Sequence, residues 1–270
     1  MGRYIVKRLF HSLLTLFIIA TITFMLMNLM PGEPFTGEKP IPEEIRKNLE
    51  AKYGLDKPIH ERYIIYLKNL AKGDLGMSMV HKHRSVGSII KQGFPISASL
   101  GLRALTFAVI AGLFLGVIAA VNHDRTWDHV AMIIAVIGVS VPSFIIGGLL
   151  QYFVGVKLRL LPVTDWESFK HTLMPSFSLG LGTLAVMARM MRTSMLDVLS
   201  QDYIKTAKAK GLPKRKVVWR HGIRNAILPV VTIMGPLVAG ITTGTFVVEN
   251  IFAIPGLGQF MVSSVSQNDY

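Results

Sequence analysis

The chain's clearest functional cluster is a short basic stretch in which Tyr203, Ile204, Ala207 and Gly211 recur at helical spacing. At about 100° per residue these four fall on one face of a helix, and Lys205 and Lys208 fall on the opposite one. An aromatic, an aliphatic and two small residues suit close approach by another surface. The lysines suit phosphate head groups or an acidic partner rim. This is docking chemistry rather than bond-making chemistry. The sequence has no G-x-x-x-x-G-K-[ST] phosphate loop, so ATP is not bound by that means. Its eight histidines include no H-E-x-x-H, and His81 and His83 read as solvated surface residues. With no cysteine there is no disulfide, thiol nucleophile or cysteine-held metal. No Ser/His/Asp arrangement is legible from spacing. The expectation is a protein that is not an enzyme, with no cofactor and no metal.

The elements around the cluster can be read next. Residues 200–210 form a short helix with Ser200 or Asp202 as its cap. Gly211 suits a left-handed helix end, and Pro213 prevents continuation. A second helix begins at Pro213. On it Lys216, Arg220 and Arg224 make a stripe at i, i+4 and i+8, with Val217, Val218 and Ile223 toward other faces. It is expected to lie along a membrane and to run into an apolar segment near Pro229.

That membrane follows from composition. The 270 residues are 51% hydrophobic and 17% charged, against about 25% charged in soluble domains. Five uncharged runs occupy residues 9–30, 104–121, 130–156, 172–188 and 226–248, near or above the roughly 20 residues a span needs. The first ends without a small-residue cleavage pattern and reads as an uncleaved span rather than a signal peptide. Arg103 sits where it can snorkel from the second. Val141-Pro142 predicts a tilt or kink in the third. Gly235, Gly240 and Gly244 in the fifth read as close-packing or bending positions. No acid lies within any run, so a carboxylate proton relay is not expected. Residues 32–95 are polar and contain two short amphipathic helices. One starts at Pro42-Glu43-Glu44 and stops at Gly54; the other carries Ile59, Tyr63, Tyr66, Leu67 and Leu70 before Gly73. After Glu249 the tail is polar, with no sixth apolar run.

Between Arg189 and Arg224 stand ten Lys or Arg side chains against two acids, Asp197 and Asp202, a net +8 of the chain's +13. The positive-inside bias places this loop in the cytoplasm. Alternation from an N-terminus anchored inside by Arg3, Lys7 and Arg8 places it there independently. Residues 32–95 and the tail then face outward. Read from the residues alone, the basic segment either anchors topology or docks a partner. Nucleic acid is not expected, because topology explains the charges and no recognition fold surrounds them.

Thr206-Ala207-Lys208-Ala209-Lys210-Gly211, followed by Ile227-Leu228-Pro229, resembles the "EAA" loop of bacterial ABC-importer permeases, in the branch that imports oligopeptides, dipeptides and nickel. Further matching pieces are Gly73-Asp74-Leu75-Gly76 with Ser78, Val141-Pro142-Ser143-Phe144, Asn225 to Pro229, and Val248-Glu249-Asn250-Ile251-Phe252 with Pro255-Gly256-Leu257-Gly258. Lys205 stands where the general motif has glutamate, Thr206 where it has its first alanine, and the Ile-Leu-Pro lies further downstream. The resemblance implies an all-α polytopic membrane helix bundle of the type I importer fold. It implies residues 1–95 as first span plus extracytoplasmic segment, and 96–270 as transmembrane core with a cytoplasmic coupling loop at 193–225. The branch has six spans, so a sixth is expected to be missing here. The coupling role carries over onto Ala207 and Gly211; Tyr203, Ile204 and Leu212 join them by the helical-face argument. Implied partners are ATP-binding cassette ATPase subunits, a second homologous permease, an extracytoplasmic substrate-binding protein and the lipid bilayer of the bacterial inner membrane. Peptides are the expected solute. A nickel or other small-solute permease, an ATP-independent secondary transporter or channel, and a membrane-anchored assembly protein are the alternatives.

Overall fold

The computed structural model describes residues 1–29, 43–81, 84–242, 246–267 and 269. The expectations at Pro42, His83 and Gly244 lie outside them. Among the described residues every regular element is a helix, with one isolated bridge between Met77 and Ser85. The chain divides into two compact units, residues 1–91 with 260–270, and residues 92–259.

In the first unit, α1 (Gly2–Leu29) is apolar on all sides beyond its basic first turns and buries no residue, as suits a surface facing hydrocarbon. α2 (Glu43–Tyr53) and α3 (Ile59–Ala71) are the two amphipathic helices expected from the sequence. Gly54 and Gly73 follow them at φ +70° and +75°. The Thr21 and Tyr63 hydroxyls meet at 2.7 Å, and the Phe24 ring lies 5.3 Å from Tyr63 and 5.4 Å from Tyr66, so α3 packs on α1. Buried Ser78 donates its hydroxyl hydrogen to Asp269 Oδ2 at 2.5 Å, and Met79 N–H donates to Oδ1 at 2.6 Å. His81 departs from expectation. It is half-buried, its ring edge-on to Phe260 at 5.5 Å, with Nε2 shielded from solvent.

α4 (Val86–Val121) begins well before the apolar run that marks it, because a helix continues through polar residues that a hydropathy window does not detect. The second unit is organised on α7 (Phe169–Leu199), against which α5 (Thr126–Ser140), α6 (Ser143–Lys157) and α9 (Lys214–Thr242) all pack. Met187, Met191 and Met195, one per helical turn, are fully buried between α4 and α9. α4 approaches α7 closely because Gly112 and Gly116 carry no side chain. A Cβ there would lie 2.7 Å from the Met187 and Met191 Cβ atoms respectively. This corrects the expectation for the fifth run, since Cβ atoms at Gly235 and Gly240 would meet nothing within 4 Å. Close packing falls instead on glycines facing α7.

Four described helices, α1, α4, α7 and α9, are long and apolar enough to cross a membrane; α5 with α6 makes a fifth if counted as one broken span. The break is sharper than a kink. The two helices meet at 104°. Val141 and Pro142 are both extended, at ψ 122° and 138°, because a proline ring disfavours helical geometry in the residue before it. Between α7 and α9 lies α8 (Asp202–Ala209). The helix expected to begin at Pro213 runs into the fifth apolar run as expected, the two forming the continuous α9 through a widened π-type stretch at Val217–Ile223. α10 (Phe246–Ile251) and α11 (Leu257–Ser266) follow. The tail expected to be simply polar therefore carries a helix of 10 residues.

Candidate functional site: the α8 cradle

Helix α8 is short and would not hold its shape alone, since isolated helices under about 12 residues are marginal in water. Neither residue expected to cap it does so. Ser200 ends α7, its hydroxyl donating to the Asp197 carbonyl at 2.8 Å; Gln201 takes the N-cap position, and Asp202 is the first helical residue. The other end is closed as the sequence anticipates. Gly211, at φ +77°, donates its N–H to the Lys208 carbonyl at 2.9 Å, and Leu212 N–H reaches the Ala207 carbonyl at 3.3 Å. This is a Schellman closure, whose usual accompaniment is an apolar contact from the residue after the glycine. Here Leu212 supplies it, packing against the cluster of Ile204, Ala207 and Val217, which Leu199 also covers.

The five residues of the expected docking face therefore divide. Ile204 is 0% exposed and Ala207 6%, both turned onto Val217 at the start of α9. Leu212 is half-buried, whereas Tyr203 and Gly211 are exposed. A helical wheel puts the five on one side but cannot show that the chain covers part of that side itself. Tyr203 OH accepts from Asn225 Nδ2 at 3.0 Å, so the exposed aromatic is tied to α9 as well. On the opposite face Lys205 Nζ donates to Asp202 Oδ1 at 2.9 Å, both groups in solvent. The lysine standing in place of the motif's glutamate thus has an acid on its own helix. Lys216, Arg220 and Arg224 are exposed as a stripe, as expected.

Two turns before the end of α7, Arg192 makes an ion pair that spacing did not reveal. Its Nε donates to Asp128 Oδ1 at 2.6 Å and a terminal nitrogen to Oδ2 at 2.7 Å. Asp128 lies in the first turn of α5, where the helix dipole favours an anion. It is 1% exposed, and it also accepts Asp124 N–H at 3.0 Å and faces His123 Nδ1 at 3.2 Å. The ligand atoms of His123, Asp124 and Asp128 lie within 4.8 Å of one another, with the Arg192 guanidinium already supplying the positive charge. A second buried carboxylate, Glu249 on α10, accepts the Ser97 hydroxyl at 2.7 Å and Gly258 N–H at 2.8 Å. Ser97 Oγ in turn accepts Leu257 N–H at 2.8 Å. The Glu249 and Pro255-Gly256-Leu257-Gly258 pieces are thereby stapled to α4. Both acids lie just outside the uncharged runs. The runs are acid-free as read, yet the helical bundle buries two acids. Its place among the few charged residues of the short polar turn beside a span was the available signal for Asp128.

Comparison with known proteins places this arrangement. The profile of the family described as "Binding-protein-dependent transport system inner membrane component" matches residues 112–270, and that of its N-terminal part matches residues 1–101. The dipeptide transport system permease protein DppB of Bacillus subtilis (strain 168) is 47% identical over 270 residues, covering 100% of this chain and 88% of the relative. The oligopeptide transport system permease protein OppB of Escherichia coli (strain K12) is 43% identical over 272 residues, covering 100% and 89%. A crystal structure of an amino acid ABC transporter with histidines shares the fold at a TM-score of 0.50 and 16% identity, covering 67% of this chain and 80% of that one. Multi-pass, all-helical and matched along nearly its whole length, the chain belongs to the binding-protein-dependent transport system inner membrane components.

Proposed function

We propose that this chain is a permease subunit of an ATP-driven importer of short peptides, and that α8 is the element through which an ATPase subunit moves it. The full-length likeness to dipeptide and oligopeptide permeases carries the solute class. The cradle geometry supports the coupling role. α8 is covalently continuous with α7 and α9 and packed onto the start of α9, so a push on it reaches two long helices. In this reading Tyr203 and Gly211 meet the ATPase, and Ile204, Ala207 and Leu212 transmit the load. The N-terminus and residues 193–225 face the cytoplasm and residues 32–95 face outward, in keeping with the net +8 between Arg189 and Arg224. A second, homologous permease completes the pathway, and an extracytoplasmic binding protein delivers solute. The energy enters as a shift between two global states rather than as chemistry on this chain.

The experiment is reconstitution with ATPase subunits, a second permease and a binding protein in liposomes. Peptide-stimulated ATP hydrolysis and uptake of a labelled dipeptide are expected. Uptake that persists without any ATPase overturns the reading in favour of a secondary transporter. Uptake of Ni²⁺ but not of dipeptide overturns the solute class.

A further inference from the structure

A cleft of about 1060 Å³ runs along α4, α6 and the first turns of α7. Its walls are mainly apolar, with Leu102, Phe107, Ile110, Leu173 and Phe177 among them. One charged side chain lines it, Arg103. Among the described residues no carboxylate pairs with that guanidinium. It rests over two rings instead, 5.4 Å from the Trp166 centroid and 5.8 Å from that of Phe169. A second polar group in the wall also lacks a partner. Ser176 is 7% exposed, and its Oγ is shielded from solvent without a hydrogen bond. Gly180 packs on the backbone of Ala104, so Ser176 lies one helical turn along α7 from the level of Arg103.

Both groups are open to a ligand, and one of them is costly to leave alone. A buried hydroxyl without an acceptor loses its hydration for nothing. Arg103 is exposed on the cleft wall, and with no carboxylate of the described residues on it, its guanidinium is open to an anion from outside the chain. An apolar cavity with a few convergent polar groups is the ordinary form of a small-molecule site. We propose that this cleft is a solute site within the permease, and that it holds a short peptide by its free C-terminal carboxylate on Arg103, with Ser176 donating to a peptide carbonyl. The proposal rests on the peptide-importer reading.

The chemistry fits that solute. The C-terminal carboxylate is common to all short peptides, and the guanidinium fork matches it with two parallel hydrogen bonds. The rings of Trp166 and Phe169 hold the fork in place. The side chains, which vary from peptide to peptide, meet apolar walls that accept many shapes without specific hydrogen bonds. An anionic lipid headgroup could also pair with Arg103, but it cannot give rise to a preference for a peptide acid over its amide.

Binding of radiolabelled Ala-Phe to the assembled permease–ATPase complex in nanodiscs of zwitterionic lipid, without binding protein, tests this. The wild type is expected to bind Ala-Phe at least about tenfold more tightly than the C-terminal amide. In Arg103→Gln the two should bind alike, and Arg103→Lys should restore part of the preference. Ser176→Ala should weaken acid and amide to the same degree. Co-purification of ATPase subunits in unchanged stoichiometry shows that a variant is assembled. An acid-to-amide preference that survives Arg103→Gln overturns the proposal. So does dipeptide binding that is absent in the wild type, or phosphatidylglycerol retained through Arg103 in its place. Import is scored separately in the complete system. Import without this binding sinks the site and leaves the importer standing, and binding without import does the reverse.

Discussion

The pair of Asp128 and Arg192 shows how much one contact can matter in a membrane bundle. The carboxylate is closed off from solvent and takes both prongs of the guanidinium. Removing one partner strands the other, at a cost of about 3–5 kcal/mol, whereas removing both is far milder. Asp128→Asn and Arg192→Met should each lower the thermal midpoint of the detergent-solubilised protein strongly. The double variant should lose much less than the two losses combined, and simple additivity would refute a direct pair. Gly211 poses a backbone question instead. At φ +77° a side chain costs about 1–2 kcal/mol. Gly211→Ala should therefore loosen the Schellman closure and lower the uptake obtained per ATP hydrolysed. Gly211→Asn, which tolerates the left-handed region better, should retain more of it. Exposed Lys208→Ala should leave insertion and stability unchanged, whereas Ile204→Asp should destabilise the protein because Ile204 is buried. Gly211 was legible as a helix end from Pro213 and the preceding pattern. The inward turn of Ile204 and Ala207 was not, since their cover, Val217, belongs to the next helix.

Among the elements, α7 is the one the others pack against. Its buried methionines contact α9, its outer turns line the Arg103 cleft, and its last turn leads into α8. A displacement of α8 therefore has a packed route to the cleft, with no loop in between. The route depends on close approach of α4 at Gly112 and Gly116. Gly116→Leu would drive a branched side chain into the Ala188 carbonyl and Met191, and overpacking of this kind costs about 1–3 kcal/mol. The expected outcome is a lowered thermal midpoint with membrane insertion intact. Gly240→Leu, where a Cβ meets nothing, should leave the midpoint unchanged. If the two behave alike, the α4–α7 contact is not the stabilising one. The apolar runs predicted the existence of these helices, but not their ends or which glycines face a neighbour. Hydropathy reports what a residue prefers, and not which residue lies opposite it.

For the whole molecule the natural absence of cysteine makes topology directly measurable. A single cysteine at Lys208 should react with a membrane-impermeant maleimide only after permeabilisation. One at Lys68 on α3 should react in intact spheroplasts. The reverse pattern would invert the proposed orientation and remove α8 from the reach of a cytoplasmic ATPase. By itself the sequence determined the membrane class, the number of apolar runs, the basic segment and the family resemblance. All of these rest on composition, period and local order, which are properties of neighbours along the chain. It also showed in Gly211 and Pro213 where α8 must end, because backbone conformation there is a local matter. Val141-Pro142 likewise marked the bend in the third run, though not its 104° size. Only the tertiary structure decided that Asp128 meets Arg192, that Glu249 staples the 255–258 segment to Ser97, and that part of the expected docking face is covered by α9. Each of these joins residues far apart in sequence. Such contacts are selected by packing density and by the cost of leaving a buried charge or hydroxyl alone, neither of which a linear pattern records.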